Sequence, residues 1–375
     1  MTKQTGAGVW RTEPLRLGVV GVGKISEQYF ASLLKLPGIR LIAVADVDDS
    51  RALAVATELG VESLPVQNLM LDERIEAVLN LTIPAAHVDI DRRALEAGKH
   101  VYAEKPLALA PADAVDLLRL ASDRGLRIGS APDTVLGTGI QTARAALDEG
   151  MIGSPVAAAA SWASPGHERW HPAPDFYYQA GGGPLFDMGP YYLTALVTLL
   201  GPVVTVAGST SRSARTRVVE QGARSGEIIP VDVETHVTAL LEHASGVTST
   251  VTMSFDVWAT RMGGIEVHGT AGTVAVPDPN RFSDPVSVFT AESGEWRTID
   301  TLAGYEDASR GFGLADMAHA IATDRPHRAS GELAFHVLEI MDGILRAGRE
   351  HSIVTLRSTA ERPAAVPKGA SPDRW

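Results

Sequence analysis

Leu15-Arg16-Leu17-Gly18-Val19-Val20-Gly21-Val22-Gly23-Lys24-Ile25-Ser26 is the stretch on which the fold turns. The apolar run Leu15 to Val20 ends in a glycine pair, and from Ile25 to Leu36 apolar residues recur at helical spacing. In a strand, turn and helix of this kind the glycines permit a tight turn and bring the backbone close to a pyrophosphate, which then sits on the helix N-terminus. Gly21, Gly23, Lys24 and Ile25 are therefore candidate cofactor contacts. Ser26 stands where the dinucleotide fingerprint has its third glycine, and it is small enough for close helix–strand packing. An ordinary strand–helix turn shares the glycine pair, so the flanking chain has to decide.

Ile39 to Ala45 (IRLIAVA) reads as a second buried parallel strand, and it ends in Asp46, 23 residues beyond Gly23. A carboxylate at that tip is the expected partner of the ribose hydroxyls of NAD. The alternative is a cap for the helix from about Arg51 to Leu59, although Asp48 and Asp49 are better placed for capping. Strand and helix keep alternating: Ala77 to Leu81, a helix His87 to Ala97, a strand His100 to Ala103, a helix Ala112 to Asp123, and Leu126 to Gly129. Such alternation means a parallel, doubly wound sheet. The His100 strand runs into Glu104-Lys105-Pro106. The tripeptide puts an amine at the C-terminal edge of the sheet, where open α/β folds bind ligands, and this points to redox chemistry. The bland alternative is a solvated lysine before a turn proline.

After about Ser130 the pattern changes. A helix from Gly139 to Leu147 is followed by strand-like runs at 156–164, 203–209, 235–241, 247–255, 265–268 and 273–276, with Gly269-Thr270-Ala271-Gly272 as a hairpin turn. Strands joined only by turns make an antiparallel sheet, hence a separate α+β domain. The expected division is a flexible tail at 1–14, an NAD-binding domain at 15–133, an α+β substrate and oligomerisation domain at 134–361, and a polar tail at 362–375. A helix at 331–348 should lie near the domain junction.

With 33 Lys+Arg against 45 Asp+Glu in 375 residues the net charge is −12, which argues against nucleic acid or an anionic membrane surface as partner. No apolar stretch is long enough to span a bilayer and the N-terminus lacks a signal-peptide core, so a cytoplasmic enzyme is expected. The absence of cysteine excludes disulfides, thiolate metal sites and cysteine nucleophiles.

GVGKIS, AVAD, NLTIPAAHVD, AGKHVYAEKPLAL and GGGPLFDMGPYY together resemble the glucose-fructose oxidoreductase/inositol dehydrogenase/rhizopine-catabolism (Gfo/Idh/MocA) family over nearly the whole chain. The resemblance implies a Rossmann domain carrying NAD or NADP, and a second domain whose open, mostly antiparallel sheet makes homodimer or homotetramer contacts. It also implies hydride transfer between the nicotinamide and a hydroxyl of a sugar, glycoside or cyclitol. Lys105 matches the family's catalytic lysine, followed by a cis Pro106. Asp187 matches the aspartate of its D-x-x-x-H signature. Tyr191 stands where the histidine should be, so the residue in the acid/base position is a phenol. A helix from Asp187 to about Leu200 would put both side chains on one face, with a cationic Lys105 lowering the phenol's pKa. Alternatively Asp187 is an N-cap and Tyr191 an interior aromatic, with Tyr192 the functional phenol. Thr82, Pro84 and His87 match the segment beside the nicotinamide ribose, and His87 fits a plain first-turn residue equally well.

Asp133, where the chain crosses between domains, is a candidate substrate contact by its loop placement. Gly166-His167-Glu168-Arg169-Trp170-His171-Pro172 reads as a lid or sugar-binding loop with Trp170 and His171 as ligand contacts, against readings as a surface loop or, from its two histidines, a metal site. No metal is expected. Asp46, with Asp48 and Asp49 close by, favours NAD over NADP. A hydrolase or lyase using tightly held NAD, and a dinucleotide-binding sensor, remain open beside the dehydrogenase.

Overall fold

Short apolar runs alternating with helices are what the strands of a parallel sheet covered on both faces look like. The computed structural model describes residues 13–372 and shows that sheet. Its strands are β1 (Leu15–Val20), β2 (Ile39–Ala45), β3 (Glu62–Ser63), β4 (Ala77–Asn80), β5 (His100–Ala103) and β6 (Ile128–Ser130), all parallel, in the order β3-β2-β1-β4-β5-β6. The crossovers are α1 (Lys24–Leu33), α2 (Asp49–Leu59), α3 (Val66–Leu71), α4 (His87–Glu96) and α5 (Pro111–Asp123). The strand order reverses between β1 and β4, so the ligand crevice opens where Gly21 meets Leu81.

The second layer begins with α6 (Thr138–Asp148), β7 (Pro155–Ala163), α7 (Gly183–Leu200), β8 (Val203–Ser211), β9 (Thr216–Val218) and β10 (Ile228–Pro230). It continues through β11 (His236–His243), β12 (Thr248–Ser254), β13 (Gly264–Gly269), β14 (Gly272–Val276), β15 (Ser287–Thr290) and β16 (Trp296–Thr298), and closes with α8 (Phe312–Thr323), α9 (Gly331–Glu350) and β17 (Val354–Thr355). Nine of these strands form one sheet, β16-β15-β14-β13-β7-β12-β11-β8-β17, antiparallel except for β7 beside β12; β9 and β10 pair separately. One face carries α7 and α9, while along β11 every other residue turns outward, leaving Leu240 exposed.

Two expectations change. α7 starts four residues before Asp187, with Gly182 as its N-cap and Pro184 in its first turn, so Asp187 is no cap and lies inside the helix. The 362–372 segment is no free tail. Arg144 donates to the carbonyl of Pro363, Arg328 to those of Ala364 and Ala365, and Val366 is fully buried with its N–H on Gln141. The expected N-terminal tail lies almost wholly outside the described residues. α9 is capped by the Ser330 hydroxyl on the Leu333 N–H and packs on α5 and β6 of the first sheet as well as α7 and β8. Among the described residues no helix is long and apolar enough to cross a membrane.

Candidate active site

A cavity of about 580 Å³ lies between the C-terminal edge of the first sheet and the 166–187 segment of the second domain. Its first wall is the glycine turn. Gly21 has φ +93°, and a Cβ there would stand 2.7 Å from the Leu81 carbonyl carbon, so this glycine serves the turn itself. Gly23 differs: a Cβ would meet nothing within 4 Å, and no side chain caps the N-terminus of α1 behind it. The open cradle, with Lys24 and Ile25 beside it on the cavity wall, fits the phosphates of a dinucleotide. Asp46 stands outside the cavity at the tip of β2. Its carboxylate accepts from Val22 N–H at 2.8 Å and Asp48 N–H at 3.0 Å and so also braces the turn. Asp48, not Asp46, caps α2.

The second wall comes from the loop after β4. Thr82 and Pro84 line it, held by Asn80, whose Oδ1 accepts from the Thr82 N–H and hydroxyl while Nδ2 donates to Asp91 and to the His87 carbonyl. His87 itself does not reach the cavity. It is fully buried, with ring nitrogens 2.7 Å from the Pro106 carbonyl and 3.0 Å from that of Thr82, so it ties the Lys105-Pro106 turn to this loop instead of meeting a ribose.

At the base of the cavity the Lys105–Pro106 peptide is cis. Glu104 accepts from the Tyr29 hydroxyl (2.8 Å) and the Lys105 N–H (3.0 Å). The Lys105 ammonium donates to the Asp187 carbonyl at 2.6 Å and to its Oδ1 at 3.1 Å. Asp187 Oδ2 faces His167 Nε2 at 2.9 Å, and the Trp170 indole N–H donates to His167 Nδ1 at 3.1 Å. An indole nitrogen only donates, so Nδ1 of His167 must accept and the imidazole proton sits on Nε2, directed at Asp187. Burial would raise the Asp187 pKa, but Lys105 and then His167 outweigh it and hold it down at about 2. Burial likewise works against the Lys105 ammonium, and Asp187, Tyr191 and Glu104 together hold its pKa above the ordinary value.

Tyr191 follows one helical turn after Asp187, with its ring centre 5.1 Å from Lys105 Nζ. It is buried and does not line the cavity, and its hydroxyl accepts from Arg310 at 3.1 Å. Burial raises its pKa and prevails over the opposing pull of Lys105 and Arg310, contrary to the expected lowering. At neutral pH it is a phenol. Tyr192 is buried outside the cavity lining. Asp133 touches no open space either: fully buried, it accepts from the N–H groups of Gly311, the N-cap of α8, and of Gly313 in its first turn.

Opposite the glycine turn stands an aromatic wall of Trp170, His171, Phe176 and Tyr177. Trp170 and Phe176 are about half exposed, at 53% and 49%. His171 accepts from the Ala173 N–H through Nδ1, and burial lowers its pKa, so its Nε2–H is the free donor. The Tyr177 phenol, pushed up to about 12 by burial and by Asp187, also opens on this cavity. Sequence reading missed His167, Tyr177 and Arg310. His167 lies in the loop it singled out and Tyr177 just beyond it, but only the fold shows which rings turn inward.

Two family models match: an oxidoreductase family with an NAD-binding Rossmann fold over residues 15–131, and a GFO/IDH/MocA C-terminal domain over 140–275. The dTDP-3,4-didehydro-2,6-dideoxy-alpha-D-glucose 3-reductase of Streptomyces violaceoruber is 34% identical over 61% of this chain and 68% of its own length. The 1,5-anhydro-D-fructose reductase of Ensifer adhaerens is 27% identical over 81% of this chain and 89% of its own. In structure the chain is similar to apo levoglucosan dehydrogenase, with TM-score 0.80 and 22% identity over 93% of this chain and 100% of the other.

Proposed function

Because the chain belongs to the Gfo/Idh/MocA family of NAD(P)-dependent oxidoreductases acting on CH–OH groups, we propose that it transfers hydride between NAD(H) and a secondary hydroxyl, or the matching ketone, of a sugar, glycoside or cyclitol. The observation that carries the reading is the Lys105–Asp187 pair at the base of a cavity whose far wall is the uncapped N-terminus of α1. The nicotinamide, when bound, supplies or accepts the hydride.

The chain's own residues hold the oxygen and its proton. Lys105 meets the reacting oxygen and hydrogen-bonds the charge that develops there, with Asp187 keeping the amine protonated and aimed. Tyr191 stands behind Lys105 as the second member of a proton relay. With an ammonium and a neutral phenol at rest, the site is set to give a proton, which suits ketone reduction; oxidation first requires Lys105 to shed one. Trp170, His171 and Tyr177 offer ring faces and two donors to a hydroxyl-rich ligand. Thr82, Pro84, Lys24, Ile25 and Gly23 hold the coenzyme, and Asp46 favours NAD because a 2′-phosphate there would meet like charge. Arg51, the next cation along the chain, is already paired with Asp48 at 3.3 Å. The outward face of the nine-stranded sheet is the natural surface for a homodimer or homotetramer, and light scattering giving a monomer mass would remove that part.

The test is purified protein with NAD or NADP against myo-inositol, levoglucosan and D-glucose, and with NADH or NADPH against 1,5-anhydro-D-fructose. Coenzyme turnover, with NAD(H) ahead of NADP(H), supports the reading. Sugar cleavage without net NADH would make it a redox-assisted hydrolase, and binding without turnover a sensor. Lys105→Met should lower turnover by roughly 10² to 10⁴ while coenzyme still binds; full turnover in that variant defeats the mechanism.

A further inference from the structure

Arg310 is a buried cation in the segment that leads from the second sheet into α8. Its Nη2 donates to the Tyr191 phenol oxygen at 3.1 Å and to Asn280 Oδ1 at 2.9 Å, and its guanidinium carbon lies 5.3 Å from the Tyr191 ring centre. Lys105 Nζ lies 5.1 Å from the centre of the same ring, so two cations stand against Tyr191. Asp133 Oδ1 stands 3.8 Å from Nη1, and the same carboxylate fixes the following backbone through the Gly311 and Gly313 N–H groups. The Ser32 hydroxyl donates to the Arg310 carbonyl. Nε and Nη1 make no hydrogen bond among the described residues, and Nη2 divides its bonds between Tyr191 and Asn280. Burying an ion is costly, and an apolar side chain at this place would avoid that cost. Tyr191 accepts from Arg310, while no acceptor among the described residues takes the phenol's own proton.

We infer that Arg310 is the positioning residue of Tyr191: it orients the phenol, leaves its proton free to pass to Lys105, and holds the negative charge that remains. The inference rests on the relay reading of Lys105 and Tyr191. In the reductive direction the substrate oxygen takes a proton as a Lys105 N–H bond breaks, and the neutral amine is left. The Tyr191 O–H bond then breaks as its proton passes to that amine, and the phenolate stays against Arg310. The phenolate then takes its proton back through Lys105, which lines the cavity, as a cavity water gives a proton to the amine and leaves as hydroxide. The charged groups that face the phenol are Lys105 and Arg310 on one sign and Glu104 and Asp187 on the other, with the Tyr177 phenol nearby.

The experiment is a double-mutant cycle of Tyr191→Phe, Arg310→Gln and the two combined, with Arg310→Lys as the conservative variant. It is read as kcat against pH with 1,5-anhydro-D-fructose and NADH, or with the panel sugar turned over fastest, alongside NADH affinity and melting temperature. Arg310→Gln should lower kcat about 10-fold or more and move the phenol's limb of the profile up by about one pH unit, because the phenolate has lost its cation. Arg310→Lys should recover part of both, NADH affinity should be unchanged, and adding Arg310→Gln to Tyr191→Phe should cost nothing further. Equal losses in the two backgrounds, or an unaffected Arg310→Gln beside an impaired Tyr191→Phe, overturn the inference. A Tyr191→Phe protein with wild-type turnover instead removes the relay, and the inference with it. If the glutamine variant does not fold, Arg310→Lys against Tyr191→Phe closes the same cycle.

Discussion

Asp187 carries a donor on each oxygen, Lys105 on one and the His167 Nε2–H on the other, and two pH dependences follow from that. The first concerns stability. Its folded pKa of about 2 lies below the value near 4 of an unfolded aspartate, so the stabilisation is fully present above about pH 4 and is lost as pH falls through about 2. Asp187→Asn should therefore flatten the stability curve between those limits, as read by urea unfolding at a series of pH values. The second concerns turnover. In the same variant Lys105 loses its main anion while burial still opposes the charge, so the alkaline limb of ketone reduction should move to lower pH. An unmoved limb would separate the lysine from that limb. Lys105 and Asp187 were legible because each sits in a local motif. Arg310 was not, since it reaches Tyr191 across 119 residues of sequence. His87 and Asp133 were misplaced for a related reason: each lies at the start of a helical segment, where sequence does not tell the crevice side from the core side. Both turn inward to backbone partners.

At the scale of the element, the β1–α1 turn separates what a glycine does for the fold from what it does for a ligand. Gly21→Ala forces a Cβ onto the Leu81 backbone at a left-handed φ and should cost about 1–3 kcal/mol, lowering the melting temperature with or without coenzyme. Gly23 has an ordinary φ of −77° and open space, so Gly23→Ala should melt like the parent yet bind NADH more weakly, because the added methyl enters the phosphate cradle. Equal NADH affinity in Gly23→Ala, measured by fluorescence titration, would place the pyrophosphate elsewhere. Elements buried on both faces, such as β1, β4 and β5, stand out in the sequence as apolar runs. α8 did not, because eight of its twelve residues are buried and no polar stripe marks its period. The edge strands β3, β16 and β17 are two or three residues long, too short for any alternation to show.

At the scale of the molecule, the C-terminal segment behaves as a strap. Ending the chain after Arg362 should strip partners from Arg144, Arg328 and Gln141 and uncover the site of Val366, and the melting temperature should fall by several degrees. Unchanged melting would restore the reading of that segment as a tail. Sequence composition pointed to a tail because prolines and charges dominate it, and a segment that binds through its backbone carbonyls leaves no trace in side-chain pattern. α9 has a wider consequence. Because this one helix lies against α5 and β6 on one side and β8 on the other, the two halves of the molecule share a beam, and a clamshell motion about the crevice would have to break it. Traffic in and out of the cavity then falls to the half-exposed rings of the 170–177 stretch, so the enzyme breathes at its mouth and not at its waist. Amide exchange should be slowest along α9 and fastest on that rim, and bound ligand should slow only the rim.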